Sequence, residues 1–190
     1  MVLGMRREIK VLLLVELLIA LGLGMLGPFY AIYVEKIANN ASIIGYSYAA
    51  FWFSVGILSP LFGKFVDRKG RKMFLLLGGF LAFIVSIGYI LVSAVYQLIL
   101  LEIINGIATA CFNPAYKSIV AELTAKKSRG FEYGLLDSIS YITYGVSAIL
   151  ATFIFTNSGL KPLFVVSGTF QFISSIILTS KISYKNLKSN

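Results

Sequence analysis

Gly63-Lys64-Phe65-Val66-Asp67-Arg68-Lys69-Gly70-Arg71-Lys72 is the stretch on which the reading of the fold turns. Five of its residues are basic, one is acidic, and a long apolar run flanks it on either side. An ionised side chain at the centre of a bilayer costs about 2.5 to 3.5 kcal/mol on insertion scales, so such a cluster does not enter hydrocarbon. The segment therefore reads as a short loop between two membrane spans.

The composition agrees. Of 190 residues, 58% are hydrophobic and 13% charged, with a mean hydropathy of +0.86, well beyond a water-soluble domain. One cysteine, Cys111, and no histidine leave neither a disulfide framework nor a thiolate or imidazole metal site. With no nucleophile motif and no phosphate-binding glycine loop, no catalytic site assembles, and neither a cofactor nor an enzymatic activity is expected. The net charge of +9 sits in short loops between apolar spans, where it serves topology and anionic lipid headgroups and not nucleic acid.

Six segments are long enough to cross about 30 Å of hydrocarbon as helices: 11–34, 42–65, 73–94, 96–121, 131–155 and 160–180. They fill the chain as a single six-helix transmembrane domain over 1–190. Residues 1–10 lead into the first span without a small-residue cleavage site and read as the start of a retained helix. Alternating the spans puts 15 of the 17 Lys and Arg residues on one face, leaving Lys36 and Lys161 on the other. By the positive-inside rule both termini and the Gly63 segment are expected in the cytoplasm, and the protein in the cell membrane.

The pattern G-x-x-x-D-R-x-G-R-K resembles the signature between helices 2 and 3 of the major facilitator superfamily of secondary transporters. The stretch Ile119-Val120-Ala121-Glu122-Leu123-Thr124, followed by Arg129-Gly130 and Tyr133-Gly134-Leu135-Leu136, is similar to that family's helix 4 to helix 5 junction. The resemblance covers nearly the whole chain and matches the six-helix amino-terminal half. It implies an all-α bundle built as a 3+3 inverted repeat. It also implies a conformational switch motif of Gly63, Asp67, Arg68, Gly70, Arg71 and Glu122, in which Asp67 caps a helix end and pairs with Arg71 and Glu122. Charge-assisted hydrogen bonds of this kind can be made in one arrangement of a bundle and broken in another. One departure concerns mechanism: where many members carry an arginine in helix 4, this chain has Glu102, so that arginine's proton-coupling role does not carry over. The glycine and proline cluster of the antiporter signature is also missing from helix 5.

Polar residues inside the spans supply candidates for a solute site. Glu102, Asn105, Thr109 and Asn113 recur at i, i+3, i+7 and i+11 and share one stripe of helix 4. Tyr133, Asp137, Tyr141 and Tyr144 form a similar face on helix 5, and helix 1 adds Glu16, Tyr30 and Tyr33. Helix 3 offers only Ser86, Tyr89 and Ser93, which suits a lipid-facing position. Candidate cavity residues are Glu102, Asn105, Thr109, Asn113, Asp137, Tyr141 and Tyr30. Desolvation favours a neutral carboxyl, which makes Asp137, Glu102 and Glu16 candidate proton-coupling groups. The alternatives are that Glu16 and Glu102 stretch to an interface and that Asp137 hydrogen-bonds across helices.

Gly27-Pro28 interrupts helix 1, Ser59-Pro60 helix 2 and Asn113-Pro114 helix 4; the breaks in helices 1 and 4 fall at corresponding positions of the inverted repeat. A complete family member places its substrate between two such halves, and this chain carries one. The expectation is a half-size transporter of small organic solutes, working by alternating access as a parallel homodimer in contact with lipid. A heterodimer subunit, a non-transporting scaffold and a truncated half of a longer transporter are the alternatives. The start at Met1 and the lysine-rich tail at 183–190 are compatible with a complete chain and equally with a linker between halves.

Overall fold

The computed structural model describes residues 6–182. Lys185 and Lys188, counted above on the basic face, lie outside the described residues, as do the tail at 183–190 and residues 1–5. Six helices follow one another: α1 (Arg7–Ala38), α2 (Ser42–Lys69), α3 (Arg71–Leu91), α4 (Val95–Leu123), α5 (Arg129–Ser158) and α6 (Lys161–Lys181). All six are long and apolar enough to cross a membrane. A helix satisfies its own backbone groups, which hydrocarbon cannot do, so apolar runs of this length fold this way.

The helices outrun the apolar segments, most clearly at the Gly63 stretch. The expected loop shrinks to a single residue: α2 continues through Lys69, Gly70 alone breaks it, and α3 starts at Arg71. Gly70 has φ of 89°, and its N–H donates to the carbonyl of Val66 at 2.9 Å. Only glycine takes that angle without strain. Lys64, Asp67, Arg68 and Lys69 keep the helical hydrogen bonds past the end of the apolar run, since solvated side chains do not oppose a helix.

Five helix pairs make the main contacts: α2 with α4, α4 with α3, α3 with α6, α6 with α1, and α1 with α5. Exchanging the first three helices with the last three turns this set into itself, as an inverted repeat requires. Two close approaches show the exchange at atomic scale. A Cβ on Gly79 would come within 2.5 Å of Ser175 Cβ, and a Cβ on Gly168 within 2.5 Å of Ser86 Cβ. Both lie between α3 and α6, where the internal axis passes. A similar approach of Gly24 to Ser147 joins α1 to α5, and the Ser147 hydroxyl is buried without a hydrogen-bond partner among the described residues.

Helix 3 is central in the bundle and not the lipid-facing helix its composition suggested. Ser86 and Tyr89 are buried, and α3 packs between α4 and α6, with Met73, Leu77, Phe80 and Ile84 left on its exposed flank. In lipid both flanks of a helix are apolar, so hydropathy did not separate a central helix from a peripheral one. The terminal face of the bundle, where α1 begins and α6 ends, is filled by Leu12, Val15, Leu75, Ile119 and Leu178. A second cluster, with Val34, Val85, Leu98 and Phe164, fills the opposite end.

Gly79→Ala is expected to destabilise the bundle by about 1 to 3 kcal/mol through overpacking. Adding Ser175→Gly, which vacates the facing Cβ, is expected to restore most of the loss in thermal unfolding in detergent. A double variant no more stable than the single one would contradict this packing.

Candidate functional site

A cavity of about 520 Å³ lies between the two apolar clusters and is lined by residues of all six helices. The α4 stripe faces it: Glu102, Asn105, Thr109 and Asn113 are all on its wall. Glu16 and Tyr30 line it from α1, and Tyr89 from α3. Among the described residues, Glu16 and Glu102 are its only charged lining residues.

Each carboxylate is held by hydroxyls from other helices. Glu102, 3% exposed, accepts from Tyr89 at 2.7 Å and also from Tyr30, both at Oε1. Asn105 donates to the Tyr89 hydroxyl at 3.4 Å. Glu16 accepts from Tyr116 at 2.6 Å through Oε1 and from Ser140 at 2.9 Å through Oε2. Thus α1 supplies a tyrosine to the acid of α4, and α4 a tyrosine to the acid of α1. The aromatic walls repeat the scheme, with Tyr48 at 5.4 Å from the Tyr30 ring and Phe112 stacked at 5.6 Å on Tyr116.

Asp137 and Tyr141 lie elsewhere. Both are exposed on α5 and are absent from the cavity wall, where α5 instead contributes Tyr144. The rotation follows from packing: Ser140, Thr143 and Ser147 form the buried face of α5, which leaves Asp137 and Tyr141 on its flank. Tyr89, Tyr116 and Ser140 were missed as partners. The signal for Tyr116 was present, because Glu16 and Tyr30 stand 14 residues apart on α1 and Glu102 and Tyr116 the same 14 apart on α4. Adding 86 to positions 16, 28 and 30 gives 102, 114 and 116, so Glu, Pro and Tyr recur in the second repeat.

At the terminal face three arginines converge on the last turn of α4. Arg71 pairs with Glu122, its Nη1 at 2.6 Å from Oε2. Arg6 donates to the Leu123 carbonyl at 2.7 Å, and Arg129 to the Ala121 carbonyl at 3.0 Å. The final carbonyls of a helix lack partners and carry the negative end of its dipole, so cations are stabilised there. Glu132 completes the cluster, accepting from the Ala125 N–H and the Ser128 hydroxyl at 2.9 Å each, with Arg6 at 3.5 Å. Within the switch motif, Gly63 faces Pro114 of α4, Arg71 pairs with Glu122, and Asp67 and Arg68 are exposed.

Residues 12–189 match the family model of the Major Facilitator Superfamily. The chain belongs to that superfamily. Membership places it among transport proteins and not enzymes. Among curated superfamily members it is 25% identical over 162 residues to an uncharacterised MFS-type transporter of Methanocaldococcus jannaschii, covering 85% of this chain and 42% of that protein. Quinolone resistance protein NorA of Staphylococcus aureus is 24% identical over 92% of this chain and 45% of its own length. The multi-drug resistance efflux pump PmrA of Streptococcus pneumoniae is 27% identical over 79% and 38% respectively. The chain thus spans less than half the length of these relatives.

The crossed pairing is open to double-mutant cycles in thermal unfolding. Tyr116→Phe with Glu16→Gln, and Tyr30→Phe with Glu102→Gln, are each expected to show coupling of about 1.5 to 3 kcal/mol, the range for hydrogen bonds to charged groups. Tyr116→Phe with Glu102→Gln is expected to be additive. Coupling in that third cycle, or none in the first two, would contradict the geometry.

Proposed function

We infer that this bundle is one half of a secondary transporter of small organic solutes, and that a second copy of the chain, inserted in parallel, completes it. Alternating access then arises as the two bundles rock against each other about the central cavity. The observation that carries this reading is the exposure of α2 and α5, the least buried of the six helices, at the two ends of the packing order. Trp52, Phe53 and Ile57 on α2 and Tyr141, Ile142 and Ile149 on α5 are large exposed apolar residues. Beside them Gly56 and Gly145 face open space. Small residues let a helix of a neighbouring bundle approach closely, and such a neighbour would cover Asp137 and Tyr141.

The superfamily relatives are more than twice the aligned length, which agrees with a need for a second bundle. Placement of both termini in the cytoplasm rests on the basic bias of one face, and that bias permits two copies to insert with the same orientation. The arginines on the last turn of α4 then brace the cytoplasmic end, with Arg71–Glu122 as the pair that opens in the switch. Proton coupling through Glu102, Asp137 or Glu16 belongs to this reading, since each is a carboxylate within a span. A separate partner chain, or the continuation of a longer one, would supply the same second bundle.

Two differently tagged copies test the choice in intact membranes, with Cys111→Ala in both. One carries Gly56→Cys on α2 and the other Gly145→Cys on α5. Oxidation is expected to link the two tags, and native mass spectrometry in lipid discs to give a dimer. Absence of the cross-link together with a monomer mass would overturn the homodimer and direct the search to a partner half.

A further inference from the structure

We propose that Asp137 on α5 of one copy pairs with Lys64 on α2 of a second copy of this chain, and that the two-fold between the copies makes the pair twice. The proposal rests on the homodimer reading and deepens it by naming the contact through which the copies recognise each other. Two ionisable side chains on the uncovered flanks are its starting point. Asp137 stands eight residues past the start of α5 and Lys64 five residues before the end of α2, so both belong to helices able to cross the membrane. Both are exposed, and among the described residues neither has an ion-pair partner. A charge left facing lipid is unfavourable, and an opposite charge on a neighbouring helix compensates it.

Spacing along the two helices decides which residues meet. Gly56, Pro60 and Lys64 recur every four residues on the exposed flank of α2, and Asp137, Tyr141 and Gly145 do so on the exposed flank of α5. Residues four apart form a continuous ridge on a helix, so each trio is one ridge. Successive helices alternate in direction, and α2 of one copy therefore runs antiparallel to α5 of a parallel copy. A Cβ on Gly56 or on Gly145 would meet open space, so a neighbour can approach closely at both. With Gly56 set opposite Gly145, Pro60 falls opposite Tyr141 and Lys64 opposite Asp137. The helix ends agree with that register: Ser42, the first residue of α2, falls opposite Gly159, just past the end of α5, and Lys69, the last, opposite Glu132 in the first turn of α5. The flexible four-carbon stem of lysine covers the gap that remains between the backbones. An isologous contact needs a surface that complements itself, and here one chain carries the acid and the base at matched counts from the two glycines. That self-match selects a second copy over an unrelated partner half.

Charge reversal in the full chain tests the pair. Copies bearing Lys64→Asp and copies bearing Asp137→Lys, each with its own fluorescent tag, are placed in phosphatidylcholine vesicles at graded lipid dilution, and dimers are counted by single-molecule photobleaching. Either variant alone sets like charges at both contacts, and its dimerisation is expected to weaken at least about tenfold, within the range for close charge pairs at an interface. Mixed together, the two variants form one native and one reversed pair, so the mixed dimer is expected to recover most of the native affinity. The chain carrying both substitutions is expected to recover likewise. Lys64→Gln and Asp137→Asn, expected to weaken the dimer singly and no further when combined, keep the test decisive if a reversed variant does not fold. A native protein that dimerises while being indifferent to all these substitutions, or a mixed dimer no tighter than that of either reversed variant alone, would overturn the pair and leave the homodimer standing. A native protein that stays monomeric at every dilution would overturn the homodimer and the pair with it. Recovery of the mixed dimer in a protein showing no transport would remove the transporter reading and leave the contact in place.

Discussion

Two carboxylates inside a hydrocarbon-embedded bundle, with no basic residue among the described residues of the cavity wall they share, constrain the helices around them. Each must be met by hydrogen-bond donors, and in each case one tyrosine donor comes from the other of the two helices that carry the acids. That exchange sets the antiparallel register of α1 against α4. With α1 and α4 set, α3 and α6 fill the space between them, and Tyr89 is brought to Glu102 from α3. The polar hydrogen bonds and the apolar clusters at either end thereby leave a cavity with acids near both of its ends.

The terminal face obeys a different constraint. There the helices leave hydrocarbon, and the last turn of α4 presents carbonyls without intrahelical donors. Arg6, Arg71 and Arg129 come from three different segments to that one turn, two of them to backbone oxygens and one to Glu122. A helix end gripped from three sides ties α1, α3 and α5 to α4 at the face where the charged residues collect. The grip is polar and half exposed, so it can be broken at lower cost than the buried core.

Much of this was legible in the chain. Six apolar runs gave six helices, because hydrocarbon admits only self-satisfied backbone. The stripe of Glu102, Asn105, Thr109 and Asn113 could be read from spacing, and all four lie on the cavity wall. Other positions resisted. Tyr89 sits in a helix with no marked polar face, and only its rotation toward α4 brings it to the acid. Asp137 shares a face of α5 with Tyr144 by periodicity, yet the packing of Ser140 and Ser147 against α1 turns it outward. The Gly63 stretch read as a loop because its charges stop a span, but they do not stop a helix.

By itself the sequence determined the number of spans, the charge asymmetry between faces, the Gly70 break and the recurrence of Glu, Pro and Tyr 86 residues apart on α1 and α4. These depend on hydropathy, backbone angle and spacing along one chain. Tertiary structure decided which hydroxyl meets which carboxylate, that α3 is central, and that α2 and α5 are left uncovered. The reason is that hydrocarbon is apolar on every side: within a membrane, helix rotation and partner choice follow from close packing of residues such as Gly79 on Ser175 and from the few polar groups that must find one another.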